Sequence, residues 1–225
     1  MDRLKRIRML LGDAAVAKLR GACVMVVGCG AVGSFAIEAL ARSGVGRLIL
    51  VDSDIIEESN INRQLFALGS TIGVPKVDVA AARIHDINPE IRVDAHQMFF
   101  DENTKLDVRP DFVIDAIDTA PSKVALARWA QNHGAGFIAS MGAARKTDLS
   151  QIKIAKLSKT SVCPLASRMR RMVRDAGLAD YDVVFSTEPA APGTADGRAF
   201  GSIVTVTGAF GLYLANYVVK RITDS

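Results

Sequence analysis

The chain has 225 residues, of which 49% are hydrophobic and 23% charged, and its 28 basic against 24 acidic residues leave a formal charge of +4. That size and balance exclude a disordered or fibrous chain, and the mild basicity accommodates an RNA partner without requiring one. Cys23, Cys29 and Cys163 form no C-x-x-C pair, which speaks against a disulfide framework or a cysteine-built zinc site and favours the cytoplasm.

The opening MDRLKRIRMLLGD has no long apolar core and no small-residue cleavage site, so no secretory leader is expected. Residues 1–20 read as an N-terminal helical arm. Residues 23–27 are an apolar run of strand length, 31–43 repeat apolar residues at helical spacing, and Gly44 and Gly46 end that helix before a second strand at 47–51. This is a β-α-β unit, whose crossover is expected to be right-handed and whose strands parallel. A helix is expected at 75–87, strands at 91–97 and 112–117, a helix at 121–132 and a strand at 136–141.

Past Gly142 the pattern changes. Residues 151–157 alternate as a strand, 164–175 form a basic helix, 181–186 a short strand, and 188–201 a loop rich in Pro, Gly and Ala. Residues 202–219 carry no formal charge over 18 positions, close to the lower limit for a membrane span. Thr205, Thr207, Gly208, Gly211 and Asn216 make a strand followed by a buried helix the better reading, and membrane association is not expected. The whole predicts a single α/β domain, residues 1–225, built as a Rossmann-like, doubly wound, mostly parallel sheet. Residues 143–225 extend it with mixed strands and helices.

Gly28, Gly30 and Gly33 spell G-x-G-x-x-G between the first strand and its helix. Glycine there clears the way for backbone N–H groups to approach phosphate at a helix N-terminus. Asp52 closes the second strand, where an acid grips a ribose hydroxyl. NAD, FAD and ATP are all served by these features. The stretches DSD (52–54), SNINRQ (59–64), PK (75–76) and DAID (115–118) narrow the choice. A dehydrogenase has no use for Arg63 and Lys76 just after its ribose acid. Attack of a carboxylate on the α-phosphorus of ATP builds negative charge that both neutralise, while Asp118 at a strand end holds Mg²⁺.

GCGAVG, DSD, SNINRQ, PK and DAIDTA, in that order and spacing, resemble the E1-like adenylating superfamily of ThiF, MoeB and HesA. KTSVCPLASRMRR (159–171) and VVFSTEP (183–189) resemble its tRNA threonylcarbamoyladenosine dehydratase branch. The resemblance implies that Gly28, Gly30, Gly33, Asp52, Asp54, Asn60, Arg63, Gln64, Lys76 and Asp118 bind ATP, with Arg63, Lys76 and Asp118 also catalytic and Asp118 meeting Mg²⁺ through the nucleotide. It further implies a homodimer in which Arg3, Arg6 or Arg8 crosses to the neighbour's site, the RIRMLLG spacing favouring Arg6, and residues 143–225 serving substrate and dimer contacts. The implied reaction adenylates the threonyl carboxylate of the modified adenosine next to the tRNA anticodon, after which the carbamoyl group closes the ring. The branch that activates ubiquitin-like sulfur carriers carries zinc cysteine pairs that this chain lacks, leaving that activity, or docking of a sulfur-transfer protein, as the alternative. Cys163 stands just before a helix, without the setting of an obligatory nucleophile. Arg168, Arg170, Arg171 and Arg174, with Lys153, Lys156 and Lys159, form either an RNA-tracking surface or a solvated face.

Overall fold

Strands β1 (Cys23–Val27), β2 (Arg47–Asp52), β3 (Arg92–Gln97), β4 (Phe112–Asp115), β5 (Gly136–Ser140), β6 (Ile152–Lys156) and β7 (Asp182–Ser186) form one sheet in the order β3-β2-β1-β4-β5-β7-β6. The structure is a computed structural model, which describes residues 2–192 and 201–224. All neighbours run parallel except β6 on β7, so the expected mostly parallel α/β sheet is present. β7 joins β5 directly, and the C-terminal part therefore continues the same sheet.

The sequence CVMVV of β1 is buried throughout because helices cover both faces. Val24 and Val26, with Leu48 and Leu50 of β2, pack against α1 (Lys5–Gly21), α2 (Gly33–Ser43), α3 (Lys76–Ile87) and α6 (Val204–Thr223). The alternate residues Met25, Val27, Ile49 and Val51 face α4 (Ala120–Asn132), and α5 (Pro164–Asp175) continues that layer over β5 and β7. Gly12, at φ 84°, breaks α1 into two helical pieces, and Met9 and Leu10 beside the break are 72% and 81% exposed.

One expectation fails outright. Residues 202–219 hold no strand among the described residues; α6 is a single helix of 20 residues. The β-branched run Ile203–Val206 reads as a strand by propensity, but packing against α2 decides the outcome. A Cβ on Gly211 would lie 2.3 Å from the Val32 carbonyl oxygen, and one on Gly208 would meet the Phe35 ring at 3.2 Å. Thr207 Oγ donates back to the carbonyls of Ile203 and Val204, satisfying its hydroxyl inside the helix. No described helix is long and apolar enough to cross a membrane. Of the loop expected at 188–201, residues 193–200 lie outside the described residues.

Candidate active site

Strand order reverses between β1 and β4, which run parallel: successive strands step one way to β3 and the other way to β5. Open α/β sheets bind ligands at such a switch point, beyond the C-terminal strand ends. A cavity of about 900 Å³ lies there, lined by the segments that follow β1, β2, β4 and β5 and by the start of α5.

The glycine turn is built by exclusion. Gly28 sits at φ 95°, and a Cβ on it would lie 2.7 Å from the Ala116 carbonyl oxygen, so the β1 and β4 loops touch through bare backbone. Gly30 lines the cavity, and a Cβ on it would make only ordinary contact with the Gln64 side chain, at 3.7 Å. Gly33 does not line it: a Cβ there would fall 1.7 Å from the Gly28 carbonyl oxygen. Its work is to seat the N-terminus of α2 under the turn.

Asp52 projects from the end of β2 and is held by backbone on both oxygens. Oδ2 accepts from the Cys29 N–H at 2.6 Å and Oδ1 from the Asp54 N–H at 2.9 Å. Burial raises its carboxyl above the ordinary range, and those two amides oppose the rise. The bond from Cys29 ties Asp52 to the glycine turn. Burial also pushes the Cys29 thiol well up, which leaves it a small core residue.

Lys76 is 6% exposed, and its Nζ meets Asp54 Oδ2 at 2.7 Å. The ammonium holds the Asp54 carboxyl below its usual range. Asp54 thus aims a buried cation at the cavity, a more definite task than its place in the DSD motif suggests. Arg63 Nη1 is anchored on the Ser59 carbonyl and Asn62 Oδ1, both at 2.8 Å, and the side chain reaches the same cavity beside Gln64. Asn60 is buried and does not line the cavity. Its Oδ1 accepts from the Glu57 N–H and its carbonyl from the Arg63 and Gln64 amides, so it shapes the turn that presents Arg63.

Asp118 is exposed on the cavity wall. Asp118 does not cap the helix that follows: Thr119 occupies the N-cap of α4, and its side chain makes no capping bond. The other acid of DAID is different. Asp115 is fully buried, with Lys123 Nζ at 2.9 Å from its Oδ1. Lys123 also donates to the Ile117 carbonyl at 2.9 Å, and Asp115 Oδ1 accepts from the Ile117 N–H at 3.0 Å. Both sides of Ile117 are therefore clasped, fixing the loop that carries Asp118. Lys123 stands eight positions past Asp115, in a strand–loop–helix arrangement that no spacing rule flags.

On the far side lie Met141 and Gly142, together with Lys146 and the start of α5 at Cys163 to Leu165. Cys163 is 2% exposed and belongs to the core behind this wall. At the other end Met98 and Phe99, after β3, close the cavity with apolar surface. None of Arg3, Arg6 and Arg8 lines the cavity; Arg8 pairs with Asp2 and Asp13 within its own arm. On α5, Arg170 donates to Thr160, while Arg168 and Arg171 are exposed without ion pairs among the described residues.

Residues 4–225 match the ThiF family. The chain belongs to it. This ThiF family member is 45% identical over 192 residues to the tRNA threonylcarbamoyladenosine dehydratase of Bacillus subtilis, covering 84% of this chain and 76% of the relative. The Escherichia coli tRNA N6-threonylcarbamoyladenosine dehydratase in complex with AMP superposes with a TM-score of 0.93 at 35% identity, over 99% of this chain and 94% of that one. The same E. coli protein in complex with ATP gives 0.91. Similarity to the sulfur carrier protein adenylyltransferase of Thermus thermophilus, at 35% identity, spans 127 residues, 55% of this chain and 47% of the relative.

Proposed function

We propose that this ThiF family member is an ATP-dependent tRNA threonylcarbamoyladenosine dehydratase. The observation that carries this reading is the convergence of Arg63, the Asp54-paired Lys76 and the exposed Asp118 on one cavity above the Gly28–Gly30 turn. Similarity over most of the chain to dehydratases from two bacteria supports the substrate, whereas similarity to the sulfur-carrier enzyme stops at about half the chain.

In this reading the ribose meets Asp52 and the phosphates lie against the Gly30 turn. The threonyl carboxylate of the modified adenosine attacks the α-phosphorus, and the bond to the bridging oxygen breaks as pyrophosphate leaves. Arg63 and Lys76 offset the charge that grows on the phosphoryl oxygens. Asp118 is the carboxylate placed to hold Mg²⁺ together with the phosphates, and Mg²⁺ when bound neutralises polyphosphate charge. The carbamoyl group then attacks the acyl carbonyl, the carbon–oxygen bond to AMP breaks, and the ring closes with net loss of one water. Proximity within one substrate serves in place of a protein thiol.

The fold acts as one domain in a homodimer of the cytoplasm. The exposed Met9 and Leu10 beside the Gly12 break, and the exposed Arg3 and Arg6, suit a surface that meets a second copy. Release of AMP from ATP, compared with tRNA carrying or lacking threonylcarbamoyladenosine, tests the reading. AMP formed only with the modified tRNA, and lost in Asp118→Ala with circular dichroism unchanged, is expected. AMP formed equally with both tRNAs overturns it.

A further inference from the structure

One buried cation in the cavity wall is left over by the chemistry above. Lys146 is 4% exposed and lines the cavity, yet among the described residues it has no ion pair. Its ammonium donates to the Glu188 carbonyl, and among the described residues its other two donors meet no acceptor. The Glu188 carboxylate lies nearby but is taken up by the Thr147 and Asp148 amides and the Thr147 hydroxyl, at 3.0 to 3.2 Å. That grip fixes the backbone just after Lys146. The Glu188 carboxylate feels the Lys146 charge but makes no ion pair with it among the described residues, and a buried ammonium whose donors are only partly engaged calls for an anionic ligand.

A second feature of the same wall has the same sign. Cys163, Pro164 and Leu165, at the N-terminus of the 12-residue helix α5, line the cavity, and no side chain caps that end. Its first-turn amides and the positive end of its dipole therefore add to the Lys146 charge. Gly142, between the two, faces Cys163 Sγ at 3.5 Å from where a Cβ would stand, so this part of the wall is bare backbone.

The sheet order says which anion belongs there. Along the C-terminal edge the ribose acid follows β2, the glycine turn β1, Asp118 the strand β4, and Lys146 the strand β5. Three strand spacings separate β2 from β5, roughly 14 Å. Lys146 is thus on the side of Asp118 away from the ribose, while the polyphosphate already has the turn, Arg63 and Lys76. We infer that Lys146 and the uncapped start of α5 form a carboxylate-binding subsite, which seats the acyl group of the modified nucleoside for attack on the α-phosphorus and selects for substrates that carry that negative charge. This rests on the dehydratase reading and names the part of the site that recognises its acceptor.

The test compares Lys146→Met, Lys146→Gln and Lys146→Arg with the unsubstituted protein. In AMP-release assays with modified tRNA, loss of the charge-assisted bond is expected to lower kcat/KM roughly tenfold to a hundredfold in Met and Gln, with Arg retaining most of it. ATP affinity measured by calorimetry without tRNA, and inhibition by tRNA lacking the modification, are expected to stay unchanged. Gln keeps a donor for the Glu188 carbonyl, so the same loss in Gln with an unchanged thermal transition separates charge from folding. Unchanged kcat/KM in Met and Gln overturns the inference. So does an equal loss of ATP affinity, which makes the polyphosphate the ligand, or an equal loss of inhibition by unmodified tRNA, which makes it a backbone phosphate. In each of these cases the unsubstituted protein still makes AMP with modified tRNA, and the dehydratase reading survives. If it makes none, that reading falls and the inference with it.

Discussion

Replacing Lys123 with methionine removes the ammonium that faces the buried Asp115 carboxylate and strips a donor from the Ile117 carbonyl. Asp115 Oδ2 already lacks a hydrogen-bond partner, so the variant leaves one amide, that of Ile117, holding a fully buried acid. Breaking a buried pair from one side costs about 3–5 kcal/mol. For a chain of this length that lowers the melting temperature by roughly 6–20 °C. The pH dependence has a definite sign. Burial holds the Asp115 carboxyl above its ordinary range, and Lys123 opposes the shift. Without Lys123 the folded-state pKa climbs further above the unfolded one, and the native state binds more protons between the two values. Stability then falls as pH rises through that interval, so the deficit is smaller at about pH 5 than at about pH 8. Denaturant unfolding followed by circular dichroism at both values measures it. Adding Asp115→Asn is expected to recover a large part of the loss at the higher pH, because no buried charge remains. An equal deficit at both pH values, with no recovery in the double variant, would refute the assignment of Asp115 and Lys123 as a coupled pair that fixes the Asp118 loop.

Gly33→Ala places a methyl group 1.7 Å from the Gly28 carbonyl oxygen, and is expected to abolish ATP binding in calorimetry by displacing the turn. Cys163→Ser is expected to keep AMP release within about twofold and to cost about 1–3 kcal/mol of stability, since the thiol is a core group rather than a nucleophile. Charge reversal at Arg168 and Arg171 together is expected to reduce the salt slope of tRNA binding by about 1 for each phosphate that the variant no longer neutralises. Arg170 is the wrong choice for that experiment because its guanidinium holds Thr160.

The β-α-β start was legible because β1 and β2 are buried on both faces and read as unbroken apolar runs, and because Gly44 caps α2 in the left-handed region. The charged groups of the site were legible as types in order, since Arg63, Lys76 and Asp118 each follow a recognisable turn. What sequence could not separate was presentation from contact. Gly33 and Asn60 sit inside motifs, yet one packs a helix and the other braces a turn. Asp115 and Lys123, or Lys146 and Glu188, meet only because loops fold back, and pairings across eight or forty-two positions leave no periodic trace. In α6, local preference pointed to a strand, and the close seat that Gly211 makes on α2 overrode it.

Because β7 lies between β5 and β6, the chain reaches the sheet edge before it has made the strand that joins that edge to the rest. A ribosome delivers the N-terminal strands first. The turn at Gly28, Asp52 and the Asp118 loop precede the segment carrying Lys146 in the chain, and that segment precedes both Glu188 and the strand that joins it to the sheet. α6, which follows β7, supplies the backing under the Val32 end of the glycine turn. A nascent chain thus lays down the cavity walls that follow β1, β2 and β4 before the wall that carries Lys146 is tied in through β7.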